Sequence, residues 1–145
     1  MAGPEVGEVA AALRDSIGLL RRRLRQVKAE RGDLTLPESA ALVRLDRGGP
    51  TTSGALARQE QISPQSMGAT LAGLEARGLV ERRPDPHDGR RAVLSVTDAG
   101  RQVLRDRRNA HTELLARALA DGFTAAELDV LAAAAPLLER LAERL

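Results

Sequence analysis

Four arginines crowd one short turn. Arg82 and Arg83 precede Pro84-Asp85-Pro86-His87-Asp88-Gly89, and Arg90 and Arg91 follow it. A guanidinium is a planar fork that binds phosphate oxygens bidentately. At a hairpin tip it can also enter a narrow minor groove, where the negative potential is strongest. A charge run is usually just a solvated face, but this one follows a segment of opposite character. No residue between Gln61 and Leu74 is charged. The side chains offered there suit base edges: Gln65 for adenine, Ser66 for several edges, Ala69 for a thymine methyl. Asp88, two residues before Arg90, can pair with an arginine and hold its orientation. DNA phosphates would repel a carboxylate, so orienting is the better role for it than contact.

Such side chains act only if the backbone aims them. Thr51 to Ala57 reads as the start of a short helix, followed by a tight turn. Ser63 is a good N-cap for the next helix, with Pro64 at its first position. Met67, Leu71 and Leu74 share one face of that helix and are expected to bury against Leu56 and Ile62. The opposite face carries Gln65, Ala69, Ala72 and Ala76, with Ser66 and Gly73 beside it. The small residues Gly68, Ala69 and Gly73 would let the backbone approach a partner closely. Taken alone, such an Ala/Gly-rich face suits packing on another helix equally well; the hairpin that follows favours DNA. Gly78 is expected to cap this helix at its C-terminus. Two short strands, Leu79–Arg83 and Arg91–Thr97, then flank a turn region marked by Pro84, Pro86 and Gly89.

Helices surround this centre. Val6, Val9, Ala10, Leu13, Ile17, Leu20, Leu24 and Val27 recur at helical spacing, and Gly32 and Asp33 end that first helix. Thr35-Leu36-Pro37-Glu38 offers a capping box for a second helix, which stops at Gly48-Gly49-Pro50. A fifth helix spans about Asp98 to Leu119. A sixth starts at Thr124, with Glu127 at capping-box spacing, and runs to the chain end with an expected kink at Pro136. The apolar stripes of the first and last helices need a cover. They could cover each other within one subunit, or a second copy could cover both. The second copy is favoured, since a symmetric DNA reader requires one.

Composition sets the bounds. The chain has 145 residues, 43% of them hydrophobic, with one Phe and no Tyr or Trp. Its core must therefore be aliphatic, which suits helices better than sheets. Absence of cysteine excludes disulfides, thiolate metal sites and peroxide sensing by thiol oxidation. His87 and His111 are the only imidazoles. No nucleophile–base set, phosphate loop or metal-ligand spacing suggests an enzyme, and no cofactor is expected. Arg supplies every basic residue except Lys28, and the formal net charge is only +2. From Asp121 to Leu145 there are five acids against two arginines, so the rest of the chain is net positive. The N-terminus lacks signal-peptide features and no apolar run is long enough to span a membrane, so a cytoplasmic protein with no membrane partner is expected.

The segment Asp85-Pro86-His87-Asp88-Gly89-Arg90-Arg91-Ala92-Val93-Leu94-Ser95-Val96-Thr97-Asp98-Ala99-Gly100 resembles the wing signature of bacterial MarR-type transcriptional regulators. Upstream, Leu56-Ala57 and Ile62-Ser63-Pro64 resemble that family's helix-turn-helix, and Leu74 to Val80 the start of its wing. The resemblance implies a mainly α fold with a small β-hairpin wing. It is a winged helix-turn-helix with long N- and C-terminal dimerisation helices. One domain over 1–145 is expected, with 1–32 and 101–145 as the dimerisation region and 35–100 binding DNA. The implied function is a homodimeric, sequence-specific transcriptional regulator, a repressor, on double-stranded DNA with a pseudo-palindromic operator. Each subunit would place its fourth helix in a major groove and its wing in the flanking minor groove. The candidate DNA-contacting residues are Thr52 and Ser53, then Ser63, Gln65, Ser66, Ala69 and Thr70, then Asp88, Arg90 and Arg91.

Three departures from the family pattern stand out. Gly68-Ala69 replaces a common Ser-Arg pair, so readout would shift to Gln65 and to DNA shape. Glu60 occupies a commonly apolar position, and Gln61 one that is often Gly. A ligand cleft lined by aromatics is impossible, because Phe123 stands alone. The missing arginine motivates the alternative of a weakly specific architectural DNA-binding protein. A protein-interaction module that uses the winged helix without DNA is a third reading. Relatives often release DNA on binding a small, frequently anionic compound, so a small anionic or apolar effector is a further implied partner. Arg21, Arg22, Arg23, Arg25 and Lys28 could meet its carboxylate, although a solvated helix face or phosphate contact explains them better. His111 reads as a packing or surface residue.

Overall fold

The computed structural model describes residues 3–26 and 34–145. Val27, Lys28, Gly32 and Asp33 lie outside the described residues. The elements run α1 (Val6–Arg25), α2 (Leu36–Gly48), β1 (Thr51–Thr52), α3 (Ser53–Glu60), α4 (Pro64–Ala76), β2 (Val80–Pro84), β3 (Ala92–Val96), α5 (Asp98–Gly122) and α6 (Ala125–Ala142). The chain forms two compact units, Met1–Arg108 and Asn109–Leu145, and α5 runs through the boundary.

In the first unit, the helix starts follow the caps. Thr35 accepts the Glu38 amide while the Glu38 carboxylate accepts the Thr35 amide, the reciprocal box that its spacing predicts. Gly49, at φ 79°, ends α2. Ala41, Leu42 and Leu45 of α2, Leu56 and Ala57 of α3, and Met67, Leu71 and Leu74 of α4 form one core. Leu79, Val80, Leu94, Val96 and Leu104 close it. Burying each of its larger aliphatics stabilises the fold by about 1.5–3 kcal/mol. Ile62 is not among them: it remains 37% exposed, and only its amide is tied down, to the Ala57 carbonyl. The turn after α3 holds the Ile62 backbone against the helix end and leaves its side chain at the surface.

The sheet has three strands rather than two, in the order β1-β3-β2, all antiparallel. Val80 faces Val96 and Pro84 faces Ala92 across the wing, as the two-strand expectation requires. Thr51 and Thr52, expected in a helix, instead pair with Leu94 and Val93. Two residues are too few to show a period of two, so this strand exists only because β3 offers it a free edge.

In the second unit, Thr124 and Glu127 complete a capping box and α6 continues through Pro136. Neither α1 nor α6 buries a residue, and each leaves large apolar side chains in the open. Among the described residues no helix is long and apolar enough to cross a membrane.

Candidate nucleic-acid interface

The fourth helix starts as its sequence predicts. The Ser63 hydroxyl accepts the Ser66 amide at 3.1 Å and donates to the Ser66 hydroxyl at 2.9 Å. Ser66 Oγ is left with its own proton to donate outward. Thr70 Oγ1 donates back to the Ser66 carbonyl at 2.9 Å, a common use of a helical hydroxyl. Ser63 and Thr70 are therefore committed largely to the helix. Gln65, Ser66, Ala69, Ala72, Gly73 and Ala76 are exposed, opposite the buried Met67, Leu71 and Leu74. The result is an uncharged, small-residue face with two polar groups, Gln65 and Ser66, near its N-terminal end.

The preceding turn accommodates both unusual residues. Gln61 adopts a left-handed conformation at φ 55°, with its amide on the Arg58 carbonyl and that of Ile62 on the Ala57 carbonyl. That is a Schellman ending in which Gln61 holds the position usually given to Gly. Glu60 pairs with Arg44 of α2, so a carboxylate sits where an apolar side chain was expected without being stranded.

The other end of α4 closes in the same way. Gly78, at φ 72°, lies one residue beyond the cap, which is Arg77. The Gly78 amide reaches the Glu75 carbonyl, and the Leu79 amide reaches the Leu74 carbonyl. Thr97 then clamps this turn to the start of α5. Its hydroxyl donates to the Gly78 carbonyl at 2.6 Å and accepts the Gly100 amide at 3.1 Å, and its amide donates to the Leu79 carbonyl at 3.1 Å. Gly100 has no room for a side chain: a Cβ there would collide with the Leu79 carbonyl oxygen and lie 2.7 Å from Val96 Cγ2.

The wing tip is organised by two aspartates. Asp85 Oδ1 accepts the His87 amide at 2.9 Å, and Asp88 Oδ1 accepts the Arg90 amide at 3.1 Å. Both are Asx turns, which explains why a hairpin tip carries acids. The other Asp88 oxygen lies 3.8 Å from Arg91 Nε, the orienting role expected of it. Asp85 and Arg91 close the loop through a 2.9 Å backbone hydrogen bond. Arg90 is exposed, and among the described residues its guanidinium has no carboxylate partner.

Thr52 and Ser53 sit elsewhere, at the start of α3, where the Thr52 hydroxyl caps the helix by accepting the Ala55 amide at 3.2 Å. Both are half-buried, and they line a cleft of about 370 Å³ together with Gly54, Arg58, Arg82 and Arg91. Arg58 and Arg82 are the functional candidates that sequence reasoning missed as binding residues. Arg82 belongs to the arginine run that the sequence marks, but nothing linear marks Arg58 or joins the two, because the cleft exists only through the unforeseen pairing of β1 with β3. Among the described residues no group of three or more His, Asp or Glu side chains could hold a metal ion.

A helix-turn-helix followed by an arginine-tipped hairpin has known relatives. A model of the MarR family matches residues 32–91. An uncharacterized HTH-type transcriptional regulator of Mycobacterium bovis is 35% identical over 135 residues, covering 93% of this chain and 93% of that protein. This chain belongs to the MarR family. An HTH-type transcriptional repressor of Mycobacterium tuberculosis is 36% identical over 70 residues, 48% of this chain and 50% of its own length. A crystal structure described as a transcriptional regulator protein from Pseudomonas aeruginosa superposes with a TM-score of 0.79 at 34% identity, over 94% of this chain and 95% of that one. The protein is therefore a DNA-binding transcriptional regulator rather than an enzyme, and its helix-turn-helix with a small three-stranded sheet is the MarR winged helix.

Proposed function

We propose that this MarR-family protein is a homodimeric repressor that reads a pseudo-palindromic operator and acts in the cytoplasm. α4 enters the major groove, where Gln65, Ser66 and Ala69 meet base edges and Ser63 and Thr70 set the helix. The wing enters the flanking minor groove with Arg90 foremost, Asp88 and Arg91 shaping its tip, while Thr52 and Ser53 stand at the backbone. The observation that carries this reading is Arg90: exposed and unpaired by any carboxylate among the described residues, on a tip that two Asx turns hold in shape.

Dimerisation through 1–32 and 101–145 is supported by the apolar faces of α1 and α6. Val6 is 86% exposed and Val130 67% exposed, which is costly unless a second copy covers them. The repressor sign is supported by the name given to the Mycobacterium tuberculosis relative. A small effector that alters dimer geometry would relieve repression.

Footprinting on the DNA flanking the protein's own gene is the direct test. Half-sites about ten base pairs apart are expected. Competition at moderate salt decides against the weakly specific alternative, which the uncharged α4 face favours. Specific binders typically prefer their site by about 10³ or more, and a ratio below about a hundred would overturn sequence-specific regulation. A promoter fusion that grows brighter when the gene is deleted gives the sign.

A further inference from the structure

We infer that the cleft between the first turn of α3 and the wing strands seats a backbone phosphate of the DNA, gripped by Arg58 and Arg82. This rests on the DNA-binding reading above and adds two residues to it, along with a mode of contact that carries no base information. The cleft is lined by three arginines, two hydroxyl residues and Gly54, with no carboxylate among its lining residues. Arg58 is exposed and has no carboxylate partner among the described residues. Its Nη1 lies 3.7 Å from where a Cβ on Gly54 would stand, so the guanidinium folds back over the helix start. Arg82 gives Nε to Glu75 at 3.3 Å, and Arg91 holds Nε 3.8 Å from Asp88. Those contacts leave the terminal nitrogens of both arginines for a ligand.

The ligand follows from DNA geometry. The ridge that separates a major groove from its neighbouring minor groove is a sugar–phosphate strand. A protein with α4 in one groove and its wing in the other must meet that strand between the two, and this cleft adjoins both: Arg82 is tied to Glu75 of α4, and Arg91 follows the wing tip. Guanidinium forks match phosphate oxygens bidentately, and hydroxyls such as Ser53 commonly supplement them. The cleft therefore contributes register and affinity rather than sequence preference.

The test uses the full-length protein and a labelled duplex over a series of salt concentrations. Arg58→Gln is expected to weaken binding about tenfold, equally on operator and scrambled duplex, and to make the log–log salt slope shallower by about 0.9. Its thermal midpoint should stay at the wild-type value, because Arg58 is exposed and has no carboxylate partner among the described residues. A duplex with one methylphosphonate at the contacted position should weaken the wild type more than it weakens Arg58→Gln, which keeps only Arg82 there. If the wild type binds but Arg58→Gln keeps its affinity and slope, the phosphate assignment is overturned while the regulator reading survives. If inorganic phosphate saturably shifts the arginine side-chain resonances of the wild type yet the DNA slope is unchanged in the variant, the cleft is a free-anion site and the assignment also falls. If the wild type binds no duplex at all, both fail together.

Discussion

Single atoms decide several properties of this molecule, and Gly100 is the sharpest case. The atom that blocks a methyl there is a backbone carbonyl oxygen, itself held by the Thr97 amide, so it cannot move aside cheaply. Gly100→Ala should destabilise the first unit by about 1–3 kcal/mol or more, read as a lowered denaturant midpoint. Asp88 makes a different prediction. Asp88→Asn keeps an acceptor for the Arg90 amide but loses the charge beside Arg91, so the wing should keep its shape and DNA affinity should hold or rise. Asp88→Ala removes the acceptor as well, and should lower affinity through a disordered tip. Comparing the pair by operator titration separates shape from charge. Arg90→Ala, at an exposed side chain with no carboxylate partner among the described residues, should weaken DNA binding at least about tenfold at an unchanged thermal midpoint.

At the scale of elements, caps carry most of what the sequence made legible. Thr35–Glu38, Thr124–Glu127 and Ser63-Pro64 each announce a helix start by short-range chemistry that needs no tertiary partner, and all three form. Helix ends are marked less evenly. Gly78 holds the left-handed position of the Schellman turn just past Arg77, where a C-terminal capping glycine is expected. Gln61 takes the same conformation with no glycine to signal it. Gln61→Gly should therefore raise stability by about 0.5–1 kcal/mol, since a side chain in that region is strained. β1 and the Arg58–Arg82 cleft were illegible for one reason: both depend on a sheet edge supplied some forty residues further along the chain.

The α6 cap also has a pH signature. The Thr124 amide, and then its hydroxyl, hydrogen-bond the Glu127 carboxylate and hold its pKa below the usual 4.5. A depressed carboxylate stabilises the fold at pH values above its unfolded pKa and loses that contribution as pH falls through the folded value. The first turn of α6 should fray on acidification below about pH 4.5. Amide exchange at Ala125–Glu127 would detect it; Glu127→Gln should abolish the pH dependence, whereas Thr124→Ala, which keeps the amide, should only reduce it.

For the whole molecule, charge and apolar surface divide between the two units. Asn109–Leu145 carries six acids against three arginines, whereas Met1–Arg108 is net positive and holds the wing. A polyanion is therefore attracted more strongly to the first unit than to the second. Sedimentation should give twice the 15.5 kDa chain mass if the exposed faces of α1 and α6 meet a second copy. Leu131→Asp, on the exposed face of α6, should yield a monomer whose first unit retains its fold and which has lost tight operator binding. A dimer that persists in that variant would place the interface elsewhere.

The aliphatic core has an optical and magnetic consequence. Met1–Arg108 contains no Phe, Tyr or Trp, so within that unit no such ring can shift the buried leucine, valine and methionine methyls. Their resonances should crowd together, and the chain is nearly invisible at 280 nm. That darkness is useful. A planar aromatic compound settling against the core would shift nearby methyl signals against a background the protein does not itself perturb.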